Sequence, residues 1–462
     1  MTSHPPGSSP TALAFRLKSG RFWEAAESLD PMLLWAALAG LIIGLVGGSF
    51  RWLVTSIFNG RVHWLESLPR EPGLAASVLV SGGMVYLGFW LMRRYASDTS
   101  GSGIPQIEGL LAGFFPLLWR RVLPVKFVSG ILMLGAGMVM GREGPTIQMG
   151  GAVGKMVSSG FRASTEQTRV LVAASAGAGL ATAFNAPLAG IVFVFEEMRP
   201  TFRNRLGAYQ AVTLACITAT IGLELLLGQG PTLRLTQFDV PPLASLWVFA
   251  LLGIACGAIG YGFNRLLVWS LNRFASLRGL AFALTGLFVG GFVGFMGWLY
   301  TPTTGGGEEM ILWAFDQVES APLLLLLCAV RFAMTILCYG SGAPGGIFAP
   351  LLSIATLFSL GLAQATAGWL PEVLPKPEVL TIAGMGALVA ATVRAPLTAI
   401  LLTVEMTNNY LLILPILICC LAATLVAQGL GGRPIYTVLL ERRLTAVCIP
   451  VPKTDPQDDA ID

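Results

Sequence analysis

Residues 174–196 read ASAGAGLATAFNAPLAGIVFVFE, and residues 383–405 read AGMGALVAATVRAPLTAILLTVE. The two strings align without a gap. They keep A, GA, A, APL, I and E in matching places and set Glu196 opposite Glu405, an offset of 209 residues. Two shorter pairs hold nearly the same spacing. Gly141-Arg-Glu-Gly-Pro145 matches Gly346-Ile-Phe-Ala-Pro350 as G-x-x-x-P at offset 205, and Gly101-Ser-Gly103 matches Gly305-Gly-Gly307 at offset 204. One such pair is compositional chance; three at nearly one spacing argue for a duplicated half of roughly 200 residues, a mark of secondary transporters. Apolar segments broken by Gly and Pro at corresponding places belong to the same pattern, with the substrate site where the halves meet.

The composition agrees. Of 462 residues, 54% are apolar and only 12% charged, half the charge that wets a soluble domain and too apolar for disorder. An all-α polytopic membrane protein is left. Apolar spans run near Leu33–Leu53, Leu74–Met92, Ala208–Leu227, Leu246–Leu267, Leu280–Leu299, Pro322–Leu337, Leu351–Leu370, Val379–Leu402 and Leu411–Leu430. Val125–Met140 and Leu180–Phe195 are shorter or interrupted. The net charge of +4, with no basic run, gives no footprint for nucleic acid. Seven cysteines, mostly inside apolar runs and without a CxxC pair, read as core-filling thiols. With only His4 and His63 available, no metal site or cofactor is expected.

The organisation divides into an N-terminal segment 1–31, a transport domain 32–445 with halves near 32–227 and 246–445, and a short acidic tail 446–462. The N-terminal segment lacks the apolar core and cleavage pattern of a signal peptide. Basic residues gather at Arg16, Lys18 and Arg21, at Arg93, Arg94, Arg120 and Arg121, at Arg199, Arg203 and Arg205, and at Arg433, Arg442 and Arg443. By the positive-inside rule they predict the cytoplasmic face and both termini on it.

Three motifs have the grammar of an anion site: Gly101, Ser102, Gly103, Ile104 and Pro105; Gly141, Arg142, Glu143, Gly144 and Pro145; and Gly346, Ile347, Phe348, Ala349 and Pro350. In each, glycine lets the backbone approach a ligand and proline opens an apolar helix. A helix start carries unpaired N–H donors and about half a positive charge. Several aimed at one point bind an anion without lysine or arginine, weakly enough for it to leave. Ser102 and the late Tyr436 add hydroxyl donors.

Glu143 lies deep in apolar sequence, where a charge costs about 3 kcal/mol. A helix start built for anions would accept its carboxylate as a tethered ligand competing with a mobile anion, and protonation would release it. An Arg142–Glu143 ion pair is the bland alternative. Glu196, matched by Glu405, reads as a structural helix-end partner. Glu197, opposite Met406, is the unmatched carboxylate and a second proton-transfer candidate; its alternative is a salt bridge to Arg199. An intramembrane serine enzyme built on Ser102 lacks a base: no histidine lies in the spans, and nothing in the sequence orients Lys126.

GSGIP, GREGP, GGIFAP and the late tyrosine, in this order, resemble the CLC family of chloride channels and chloride/proton exchangers, with bacterial exchangers most similar. The resemblance runs from about residue 32 to 445 and includes AFNAPLAGI, EEMRP and SGAPGGIFAP. It implies an inverted repeat of many tilted, partly spanning helices, a homodimer in membrane lipid with one anion pathway per subunit, and a bacterial inner-membrane location. Ser102 and Tyr436 would flank chloride, the amides of Ile347 and Phe348 would complete the site, Glu143 would gate it, and Glu197 would pass protons inside. The implied function is chloride/proton antiport, with a passive voltage- or pH-gated chloride channel as the alternative. Ser102 fits chloride; nitrate-preferring members usually carry proline there. Gln106 departs from the common glutamate, leaving a carboxylate missing near the inner mouth.

Overall fold

The computed structural model describes residues 31–198, 205–317, 319–366 and 375–447. The N-terminal segment through residue 30, the tail from residue 448, and Arg16, Lys18, Arg21, Arg199 and Arg203 lie outside them. The first half runs α1 (Pro31–Glu66), α2 (Arg70–Tyr95), α3 (Ile104–Leu111), α4 (Trp119–Gly135), α5 (Glu143–Gly160), α6 (Thr165–Phe184), α7 (Pro187–Glu196) and α8 (Arg205–Leu227). The second runs α9 (Leu246–Ala275), α10 (Gly279–Ala283), α11 (Thr285–Leu299), α12 (Glu308–Asp316), α13 (Ala321–Gly340), α14 (Phe348–Thr366), α15 (Pro377–Val393), α16 (Pro396–Thr407) and α17 (Ile413–Gly429), followed by α18 (Ile435–Ala446).

Among the described residues, seven helices are long and apolar enough to cross a membrane: α1, α2, α8, α9, α13, α14 and α17. In the most apolar window of α14, 78% of residues are buried against 33–44% in the other six, so α14 belongs to the protein interior and the others face outward. Two expected spans are broken. Val379–Leu402 divides where Arg394 takes φ 70° and Pro396 opens a new helix. Asn185 with Pro187 does the same in the first half at φ 52°. A left-handed residue turns the chain out of the helix, and proline cannot continue the ladder. Leu280–Leu299 likewise divides at Leu284 into α10 and α11.

The repeat is visible as a local two-fold. Gly141 and Gly346 exchange backbone hydrogen bonds of 2.9 and 2.7 Å as an isolated antiparallel bridge. Glu196 accepts from the amides of Leu397 (2.9 Å) and Thr398 (2.7 Å), while Glu405 accepts from Leu188 (3.0 Å) and Ala189 (2.8 Å). Each carboxylate thus satisfies two orphan donors at the start of the other half's short helix, which helix starts favour. The structural reading of Glu196 holds. The Gly-rich loops also correspond: Gly101 and Gly103 have φ of 71° and 92°, Gly305 and Gly307 of 75° and 110°.

Around this axis α5 and α6 pack through small residues. A Cβ on Gly150, Gly154 or Gly179 would strike the backbone carbonyls of Ser175, Leu171 or Thr146, and such close approach is how membrane helices associate. The large apolar side chains outside the core, such as Ile221, Leu225, Leu421 and Leu425, are exposed. That is unfavourable in water and ordinary against lipid. The six cysteines among the described residues are free thiols.

Candidate functional site

The three Gly/Pro motifs meet at one point. A Cβ on Gly144 would lie 2.8 Å from Ser102 Cα and 3.0 Å from Gly346 Cα, so backbone from all three converges where only glycine fits. α14 begins at Phe348 and its first turn points into this junction. The amide of Phe348 donates 2.7 Å to Glu143 Oε1. Glu143 is 0% exposed, and its Oε2 has no hydrogen-bond partner. A Cβ on Gly141 or Gly346 would collide with the carboxylate, so the bridge glycines make its room. An anionic group therefore occupies a helix start, where peptide dipoles favour negative charge. Ile347, also fully buried, lies between the bridge residue and Phe348.

Tyr436 enters from α18. It is fully buried, its ring stacks on Phe348 at 6.3 Å and 16°, and its hydroxyl has no partner. A buried O–H left unpaired is costly, unless a ligand takes it. Phe184 and Phe193 pack on the same Phe348 ring at 6.3 and 6.2 Å. Ser102 accepts from the Ile104 amide at 3.3 Å, and its hydroxyl also carries a donor proton. Tyr339, which the sequence reading missed, lies beside Ser102, its hydroxyl 3.7 Å from where a Cβ on Gly101 would stand. A tyrosine two residues before SGAPGGIFAP in an apolar span was the available signal.

Neither Arg142 nor Lys126 pairs with the Glu143 carboxylate. Arg142 does not pair with Glu143 in a salt bridge; its Nε donates to Ala183 O at 2.9 Å and its Nη2 pairs with Glu308. Lys126, which nothing in the sequence orients, is held firmly: Nζ donates to Thr99 O (2.8 Å) and Gly101 O (2.6 Å). It therefore braces the Ser102 loop from behind. Its pseudo-symmetric counterpart, Arg331, is also fully buried and donates to Pro302, Thr304 and Gly305 carbonyls at 2.8–3.0 Å. Gln106 is buried as well. Its Nε2 ties the carbonyls of Asp98 (3.2 Å) and Ser100 (3.0 Å), a donor role that a carboxylate does not fill. The carboxylate is missing here as expected, and an amide donor stands in its place.

Glu197 enters differently. It closes α7 half-buried, and its amide bonds Phe193 O at 3.0 Å, placing it one turn from a ring that touches Phe348. Arg199, its expected partner, lies outside the described residues. Arg443 pairs with Asp98, just past α2, and packs over Phe115, just before α4. The basic ends of α2, α4 and α18 thus share one side.

The family model described as "Voltage gated chloride channel" matches residues 78–428. The H(+)/Cl(-) exchange transporter ClcA of Vibrio cholerae is 47% identical over 420 residues, 89% of this chain and 90% of that protein. The crystal structure of a slow cyanobacterial Cl-/H+ antiporter superposes with a TM-score of 0.87 at 51% identity, covering 90% of this chain and 98% of that one. A eukaryotic CLC transporter shares the fold at a TM-score of 0.75 and 22% identity, over 89% and 74% of the two chains.

Proposed function

This chain belongs to the CLC family of voltage-gated chloride channels and their transporter relatives, and from that footing we infer that it is a secondary antiporter exchanging chloride for protons. It is a multi-pass membrane protein and a carrier, not an enzyme. The observation that carries the reading is the Glu143 carboxylate on the Phe348 amide, beside a Tyr436 hydroxyl with nothing to bond.

The seat is made of partial charges: the start of α14, the Ile347 and Phe348 amides, and the hydroxyls of Ser102 and Tyr436. Chloride and the Glu143 carboxylate carry the same charge and compete for it. When Glu143 is ionised, the side chain fills the seat and blocks the path. When it takes a proton it loses the charge that the helix start favours, swings away and lets chloride in. Each cycle of the arm therefore links one protonation to anion movement. With no full cation in the seat, chloride is bound weakly enough to leave. Glu197 is read as the inner proton donor and acceptor. Its place one turn from Phe193 supports that role.

We further read the basic side as cytoplasmic, with both termini there and the membrane as the bacterial inner one. The transport domain is taken as 32–445, working as a homodimer in lipid through outward apolar faces such as those of α8 and α17. Purified protein in liposomes with a chloride gradient tests the function: uphill proton movement is expected, and chloride flux with no proton movement at any gradient would leave a passive channel instead.

A further inference from the structure

A cavity of about 290 Å³ opens beside the seat. Gly141 and Ala349, next to the Glu143 carboxylate and the Phe348 amide, line it together with Arg142, Glu308, Glu309 and Trp313. Its side follows from α1 and α2: the short turn between them sends α2 back to end beside Asp98, the partner of Arg443, whereas Arg51, which pairs with Glu308 from behind the lining, lies 20 residues beyond the start of α1, about 30 Å along it. An anion approaching from this side meets these side chains before the seat.

Their charges are arranged in one knot. Glu308 pairs with Arg142 through Oε1, and its Oε2 lies 3.9 Å from Arg51 Nη2. Arg142 is not free to turn to an anion, since it is also fixed to Ala183 O at 2.9 Å. Glu308 itself is held in place, because it opens α12 directly after the loop that Arg331 pins through Pro302, Thr304 and Gly305. The local fold does not need this carboxylate. In the other half the same loop, with the same left-handed glycines, opens α3 with apolar Ile104 in the position of Glu308. Glu308 is thus an added charge on a symmetric scaffold, 20% exposed at the cavity.

We propose that Glu308 governs anion entry from this side, by holding Arg142 and cancelling its charge and that of Arg51 at the cavity leading to the seat. Arg51 and Arg142 together balance Glu308 and Glu309, so an arriving chloride meets no net attraction. Removing one negative charge leaves the cavity positive, and a charged cleft with low-dielectric walls raises local counter-ion concentration and on-rate. This rests on chloride being the transported anion.

The test is initial uptake of radioactive chloride by liposomes holding the full-length protein, at limiting chloride. Glu308→Gln should raise uptake by roughly threefold or more, and the gain should shrink when impermeant gluconate salt shortens the Debye length toward about 8 Å. Arg51→Gln should lower uptake, and the double variant should return toward wild type. Unchanged or lower uptake in Glu308→Gln, or a gain insensitive to salt, would overturn the proposal. Should Glu308→Gln fail to fold, a rise in Arg51→Gln would overturn it equally. A wild-type protein with no chloride uptake would instead remove the reading of function, and this one with it.

Discussion

Glu143→Gln isolates the competition between side chain and chloride. Glutamine keeps the shape but exchanges a charge-assisted bond to the Phe348 amide, 2.7 Å long in a fully buried site, for a neutral one. Bonds to charged groups are worth about 1.5–3 kcal/mol and neutral ones about 0.5–1.5 kcal/mol. The tethered competitor thus weakens by about 1–2 kcal/mol, which is roughly 5- to 30-fold in occupancy of the seat. Chloride should bind the variant tighter by that factor in titration calorimetry at neutral pH. The sign with pH follows: ionised Glu143 holds the seat at high pH, and protonation frees it as pH falls. Wild-type affinity for chloride should therefore rise toward that of the variant on acidification, while the variant stays flat. In liposomes the variant should pass chloride without moving protons. Equal chloride affinity in the two proteins at neutral pH, with a flat wild-type profile, would refute the idea that carboxylate and chloride share one place.

Glu197→Gln should abolish proton transport and spare chloride flux in the same liposomes; loss of both would assign Glu197 to the architecture instead. Gly144→Ala places a methyl 2.8 Å from Ser102 Cα and 3.0 Å from Gly346 Cα, backbone on both sides that cannot yield, so thermal unfolding should show a loss of about 1–3 kcal/mol and chloride flux should vanish. Glu405→Gln weakens the bonds to the Leu188 and Ala189 amides by about 1–2 kcal/mol in sum. Glu196→Gln should cost slightly more, because Thr398 Oγ1 also donates to Glu196, at 2.7 Å. The pair of melting temperatures checks both, and an effect at one site alone would contradict the two-fold relation.

Much of the site was legible because it is built from backbone, and backbone behaviour is written in Gly and Pro. GSGIP, GREGP and GGIFAP announced helix starts, and the helices do begin at Ile104, Glu143 and Phe348. The Glu196–Glu405 match announced a shared structural task, now seen as reciprocal capping. What stayed hidden depends on neighbours distant in sequence. Lys126 appeared unoriented because the carbonyls that hold it belong to residues 99 and 101 on another element. Gln106 read as a missing charge because nothing local announced that its amide ties Asp98 and Ser100. Val379–Leu402 read as one span because it is apolar on both sides of Arg394, whereas the break comes from the left-handed turn at Arg394 and the proline at 396 that opens the next helix.

By itself the sequence determined the membrane class, the duplicated halves, the helix starts at the Gly/Pro motifs and the carboxylates worth testing, since composition, periodicity and Gly/Pro punctuation act within a few residues. Only the tertiary structure decided that the halves meet in opposite senses through Gly141 and Gly346, that the Glu143 carboxylate rests on the Phe348 amide, and that Arg142 turns away to Glu308. These choices join groups roughly 200 residues apart, and which helix start faces which carboxylate is set by packing of the whole bundle rather than by any local preference of the chain.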